Sequence, residues 1–240
     1  VSAADMDNDG VIDIVAADEG GDAIHWLEND GAVPPSFTVN SLASSVDGPW
    51  ALFTIDLNQD GHMDVIAGSH ADNKVRVFIN NGNADPSFTA NDILTNSDTR
   101  GVHAGDVDGD GDIDIVVASG DNDRVYWVEN NGGQNYQSRL IDSDTNPRSV
   151  FLADIDNDGD DDFYLGGSTG SVGRILLNLG DGRFQERAFR EGILEAGSED
   201  LGALFFEANG DDKLDLFIVS GSVEAPPNHQ RYGQCNLWYK

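Results

Sequence analysis

The chain has a single cysteine, Cys235, in 240 residues, so no disulfide can form within it. That leaves the compartment open, since exported proteins of some organisms manage without disulfides. Basic residues are scarce as well: 13 Lys and Arg stand against 44 Asp and Glu, for a net charge of −31. Nucleic acid and anionic membrane surfaces are themselves polyanions and would be repelled. No apolar run approaches the ~20 residues of a membrane-spanning helix, so insertion into a membrane by this segment is not expected. A basic and apolar leader is missing too, and the chain opens at Val1 on a strand-like tail. It reads as a piece of a longer polypeptide whose own start would carry any export signal. Helical periodicity is nearly absent, the best short candidate being 188–196. With 39% hydrophobic residues the chain can still bury a core, and one large all-β domain fits its length.

What the sequence has instead is a repeat. An acidic nonapeptide occurs at 5–13, 56–64, 106–114, 154–162 and, more weakly, 207–215, its first residues stepping by 51, 50, 48 and 53. A fixed period of this size indicates stacked or radially arranged units. Each loop is flanked by β-branched and apolar runs such as Trp50-Ala51-Leu52-Phe53 before it and Ile113-Asp114-Ile115-Val116-Val117 after it. A third run follows, with Trp26, Val77, Trp127 and Ile175 each 21 residues beyond the first acid. It ends at Asn-Asn-Gly or a variant, and a weaker fourth run closes the unit. In the last repeat the equivalent Trp238 lies ten residues late, so residues are inserted before it.

Four antiparallel strands make a small sheet with two apolar faces, which is stable only when packed face to face with others. The expectation is an all-β chain, a β-propeller of five four-stranded blades over 1–45, 46–96, 97–143, 144–196 and 197–240, forming a single domain. A linear β-solenoid uses shorter repeats. The first blade keeps only the tail of its inner strand and the last lacks a fourth strand, so an arc of a larger ring is expected over a closed five-bladed ring.

Carboxylates at places 1, 3, 5 and 9 around a glycine at place 6 can wrap a hard cation in oxygen, with place 7 giving its carbonyl. The candidate ligands are Asp5, Asp7, Asp9 and Asp13 with the Val11 carbonyl; Asp56, Asn58, Asp60 and Asp64 with that of His62; Asp106, Asp108, Asp110 and Asp114 with that of Asp112; and Asp154, Asp156, Asp158 and Asp162 with that of Asp160. The fifth loop offers Glu207, Asn209, Asp211, Asp215 and the Lys213 carbonyl, but Asp212 replaces its glycine. An EF-hand would close with a glutamate at place 12, where this chain has Ala16, Ala67, Val117 and Leu165, so place 9 is expected to take that role. All-oxygen ligands select Ca2+ over zinc or copper, and the number of carboxylates suits calcium better than magnesium. Four Ca2+ sites are expected, with the fifth loop a weaker candidate.

The stretch Ala104-Gly105-Asp106-Val107-Asp108-Gly109-Asp110-Gly111-Asp112-Ile113-Asp114-Ile115-Val116-Val117-Ala118 resembles the FG-GAP/VCBS repeats of integrin α-subunit-like propellers and of bacterial surface proteins. The last repeat, 201–222 with Glu224, is similar to the ASPIC/UnbV cartilage-acidic-protein group. The resemblance implies a parent of seven or eight blades and a role in adhesion, ligand binding or scaffolding outside the cell, with a protein or glycan as ligand. The setting implied is extracellular, cell-surface or periplasmic.

Trp50, Arg100 and Arg148 share one place, six before their loops. They are candidate contacts for an anionic or sugar ligand, or else cations that neutralise the acidic loops. Trp26, Trp127 and Trp238 read as packing between blades, with sugar stacking the alternative. The segment 221–234 breaks the repeat and is either a functional loop or an insertion. The five histidines fall at unrelated places and no nucleophile motif is visible, so a binding module is expected rather than an enzyme. The alternative is a carbohydrate-active propeller, a polysaccharide lyase or a lectin.

Overall fold

The computed structural model describes residues 1–240 except 121, 144–145, 169–171, 181, 188–199, 209, 211–213, 221–233 and 239–240. The short helical candidate at 188–196 and the insertion at 221–233 therefore lie outside the described residues. Alternating β-branched and small residues give strands throughout, grouped in chain order. The first blade holds β1 (Ser2–Ala4), β2 (Asp13–Asp18), β3 (Ala23–Asn29) and β4 (Phe37–Ala43). The second holds β5 (Pro49–Ile55), β6 (Asp64–Ser69), β7 (Lys74–Asn80) and β8 (Phe88–Thr95), and the third β9 (Thr99–Gly105), β10 (Asp114–Ser119), β11 (Arg124–Asn130) and β12 (Tyr136–Asp142). The fourth is β13 (Ser149–Ala153), β14 (Asp162–Gly166), β15 (Arg174–Asn178) and β16 (Phe184–Arg187); the fifth is β17 (Asp200–Phe206), β18 (Asp215–Ser220) and β19 (Gln234–Trp238).

Each blade is an antiparallel meander in which every strand pairs with its sequence neighbour, four strands in the first four blades and three in the last. The acidic loops all connect the first strand of a blade to its second. Their registers repeat: Ala4 pairs with Asp13, Ile55 with Asp64, Gly105 with Asp114, Ala153 with Asp162 and Phe206 with Asp215. This closes every loop at the same point of the ladder.

The core lies between blades. Val15, Ile24 and Trp26 of the first blade pack on Val65, Ala67 and Phe78 of the second. Ile66, Val75 and Val77 then pack on Val102, Ile115 and Val117 of the third. Val116 and Trp127 meet Phe163 and Leu165, and Tyr164 and Ile175 meet Leu216 and Ile218. Successive residues of a second strand thus face opposite neighbours, and β6, β10 and β14 are buried along their whole length. The terminal blades differ. In β2 the burial alternates, with Ile14 and Ala16 partly exposed, and in the fifth blade Leu204 and Val219 are exposed. Among the described residues no apolar cluster joins the fifth blade to the first, so these residues form an arc whose end blades are partly open.

Inner strands approach closely enough to dictate residue size. A Cβ on Gly101 of β9 would lie 2.9 Å from the Ser149 Cα of β13, whereas one on Gly202, the equivalent place in the fifth blade, meets nothing within 4 Å. Gly101→Ala is expected to cost about 1–3 kcal/mol through forced backbone displacement, with Gly202→Ala near neutral. Thermal melts of the two variants check this.

Candidate metal centre

In each loop the backbone is coiled by its own carboxylates. The place 1 carboxylate accepts from the amide of place 6: Gly10 to Asp5 (2.9 Å), Gly61 to Asp56 (2.8 Å), Gly111 to Asp106 (3.0 Å) and Gly159 to Asp154 (3.2 Å). The place 5 carboxylate accepts from place 7 in the same four loops, at 2.8–3.1 Å. Place 6 needs glycine because its φ is +90 to +100°, a conformation that a Cβ resists. In the fifth loop Gly210, at place 4, donates to the Glu207 carboxylate. Asn209, Asp211 and Lys213 lie outside the described residues.

The place 9 aspartates are the buried members, with Asp64, Asp114, Asp162 and Asp215 fully enclosed and Asp13 1% exposed. Asp114 accepts from the Val107 amide (3.3 Å), the Trp127 Nε1 (2.9 Å) and the Asn130 amide (2.7 Å). Asp13 repeats the pattern with Met6, Trp26 and Asn29. Asp64 and Asp162 receive the amides of Leu57 with Asn80 and of Ile155 with Asn178, and Asp215 that of Ala208. Place 9 therefore fastens the loop to the third strand, beyond the ligand role expected from the sequence. Burial pushes Asp64, Asp114 and Asp162 up to about 6, because desolvation outweighs the amide donors that favour the charged form. Asp7 and Asp108, in the loops proper, are raised by desolvation together with their acidic neighbours.

The residues fit a hard cation. Oxygens of Asp5, Asp7 and Asp13 lie within 4.8 Å of one another, as do those of Asp106, Asp108 and Asp110 and those of Asp154, Asp156 and Asp162. Two ligands on one calcium, each at roughly 2.4 Å, can be no more than about 4.8 Å apart. The Asp106 Oδ1 and Asp156 Oδ1 are buried and, among the described residues, accept no hydrogen bond. Such orphaned carboxylate oxygens require a partner. Place 9 joins the cluster in the first and fourth loops, whereas Asp110 completes it in the third. In the second loop Asn58 supplies an amide at place 3, and its Nδ2 donates to Asp60 (3.0 Å).

Two structural residues escaped the sequence reading. One is the asparagine ending each third strand. Its side-chain Nδ2 donates to the place 8 carbonyl, from Asn29 to Ile12 (3.0 Å), Asn80 to Met63 (3.1 Å), Asn130 to Ile113 (3.3 Å) and Asn178 to Asp161 (3.2 Å). Asn80 also reaches the Met6 carbonyl of the preceding blade (2.9 Å), and Asn178 that of Val107 (2.6 Å). The signal was available in its fixed distance of 16 residues from the place 9 aspartate. The glycine that follows is also fixed: at Gly82, φ is +70° and a Cβ would lie 2.3 Å from the His62 ring. The other is place 4, where Asn8 donates to the Gly61 carbonyl of the next loop (3.2 Å) and Gln59 to that of Gly111. Gly109 has no side chain to continue the lacing.

The structure brings Trp50, Arg100 and Arg148 together on the inner strands, around one cavity. Arg100 pairs with Asp98 (3.1 Å). Trp26 and Trp127 are core residues, at 3% and 2% exposure.

A family model described as FG-GAP-like repeat matches residues 5–67, 56–117 and 106–165, together more than half of the chain. No curated protein matches. Among solved structures, a lectin of Agrocybe aegerita, described for recognition of non-reducing terminal N-acetylglucosamine, is 19% identical with a TM-score of 0.59. The alignment covers 98% of this chain and 64% of the lectin. The V. cholerae biofilm matrix protein Bap1 is also 19% identical with a TM-score of 0.48, over 91% of this chain and 34% of that one. The chain thus spans less than two thirds of either protein's length.

Two outcomes follow from the division of labour in the loop. Asp114→Asn is expected to lower metal-free stability by about 3 kcal/mol or more, since the amide turns an N–H toward buried donors. Asp108→Asn should leave the metal-free melt nearly unchanged while removing one site's share of any calcium-dependent rise. Second, acids raised in the fold are penalised when ionised, so stability falls as pH rises from the unfolded value near 3.8 through about 6. Metal-free protein is expected to lose about 1 kcal/mol per group between pH 5 and 7. Calcium, which competes with those protons, should give its largest stabilisation above pH 7; melts of metal-stripped protein across pH test both signs.

Proposed function

We propose, for a chain that belongs to the FG-GAP-like repeat family, a calcium-binding propeller that works outside the cell as an adhesion or ligand-binding scaffold. The observation that carries the reading is the pair of buried, orphaned oxygens, Asp106 Oδ1 and Asp156 Oδ1, each within a carboxylate cluster. Bound there, calcium would neutralise the loop and tie its places 1, 3 and 5 to the place 9 aspartate. The same cradle recurs at the same corner of successive blades. Chemistry would call for one distinctive site, whereas repetition favours bracing a framework.

The setting follows from affinity. Extracellular calcium modules bind at about 10⁻⁴ to 10⁻³ M, and such sites stand empty at cytosolic calcium levels. No described helix is long and apolar enough to cross a membrane. Binding rather than bond cleavage is our reading of the inner-strand cavity: His103, its histidine, packs against Phe53 (4.3 Å between centroids) and is pushed down to about 4 by desolvation, which makes it a neutral and weak base at pH 7.

Calcium near 2 mM would add about 0.6 to 1.8 kcal/mol per site at those affinities. Four sites then give about 3 to 7 kcal/mol, or a rise in Tm of at least roughly 6 °C. Melts of the full chain in calcium and in EGTA at pH 7.5 test this, and coincident curves would refute it.

A further inference from the structure

The junction between the third and fourth blades departs from the two before it at its loop end. In those two, the residue before an acidic loop and place 8 of the next blade are both apolar. Ala4 and Met63 join one apolar cluster at the first junction, and Ile55 and Ile113 another at the second. At the third junction the residues at these places are Gly105 and Asp161. The Asp161 carboxylate occupies the space that glycine leaves, since a Cβ on Gly105 would lie 2.4 Å from its Oδ2. Place 8 is apolar in every other repeat, as Ile12, Met63, Ile113 and Leu214. The lacing stops at the same point, because Gly109 has no side chain where Asn8 and Gln59 reach forward. Asn178 still crosses to Val107 (2.6 Å), so the difference is confined to the loops.

Asp161 sits poorly for a lone acid. It is half-buried, and among the described residues no donor or cation meets its carboxylate. Desolvation opposes its charge, and so do Asp154 and Asp106, the place 1 acids of the fourth and third loops. The two buried, orphaned oxygens, Asp106 Oδ1 and Asp156 Oδ1, belong to these same two loops. The acid between the two cradles lacks a positive charge, and the cradles lack a partner for their oxygens. A divalent cation supplies both.

We infer that Asp161 is an affinity-determining residue for the cations of the third and fourth loops, so that calcium fastens this junction where amide lacing and apolar contact fasten the earlier ones. Its charge acts across the blade boundary, from beside the backbone that leads into Asp106, and direct coordination by Asp161 is not required. The inference rests on the calcium reading and adds a residue outside places 1, 3, 5, 7 and 9. Removing the acid relieves the metal-free fold and weakens the metal together, two effects that a packing role would not combine.

The test joins melts of the metal-stripped full chain in EGTA at pH 7.5 with calorimetric titration by calcium chloride. Asp161→Asn is expected to raise the metal-free Tm by about 2 °C or more and to weaken two of the calcium sites at least about threefold. Asp85→Asn, in an exposed loop of the second blade, removes the same charge and is expected to do neither. Gly105→Ala combined with Asp161→Leu installs the residues found at the next junction, Ala153 and Leu214. It gives the same two shifts if the single amide variant folds poorly. Unchanged calcium affinities in both variants, a lowered metal-free Tm in both, or equal shifts in Asp85→Asn would overturn the inference. A parent chain that binds no calcium sinks the scaffold reading along with it, whereas a responsive parent with unmoved variants sinks this inference alone.

Discussion

The structure depends on a buried carboxylate. At the end of each acidic loop an aspartate with almost no exposure draws in the amide that opens the loop and, in the first four blades, the amide that ends the third strand. An ionised carboxylate in an apolar interior is costly unless several donors converge on it. Here they come from the backbone, so loop, second strand and third strand must all be in place before the group is satisfied. The indoles of Trp26 and Trp127 add a side-chain donor at the same point, which couples the fastening of the loop to the packing between blades.

The metal reading and the folding reading meet at these residues. Each carboxylate oxygen has two lone pairs, so a place 9 oxygen occupied by one amide can still face a cation. The loop is thus already curled by its own hydrogen bonds, with place 1 and place 5 holding amides, while the buried Asp106 Oδ1 and Asp156 Oδ1 are turned to where an ion would sit. An arrangement of this kind lowers the ordering cost of binding, since the chain is bent before the ion arrives.

Much of this was legible in the sequence, and the exceptions have physical reasons. Strand and loop positions follow from a period of about fifty residues and from the continuous apolar or small runs that β6, β10 and β14 carry after their opening aspartates, since both faces of these strands are buried. The fastening role of place 9 was hidden because an aspartate in an acidic loop looks like any other ligand; only its burial and the backbone donors around it distinguish it. Asn29, Asn80, Asn130 and Asn178 end strands in a turn, where asparagine is common for local reasons, and their reach across the blade is a tertiary fact. The lacing from Asn8 and Gln59 was invisible for the same reason, because loops fifty residues apart become neighbours only once blades stack.

The faces left partly open among the described residues at the two ends of the arc have a further meaning. Ile14 and Ala16 occupy the positions that in every later blade receive a neighbour, while Leu204 and Val219 line the side that in every earlier blade delivers one. Donor side and acceptor side are different surfaces, so joining them is head-to-tail and carries no internal counter. Nothing inside a single blade encodes how many of its kind belong to the circle. That number is settled by the small wedge angle accumulated at each junction, so gene duplication can lengthen such a wheel one spoke at a time until its rim meets itself.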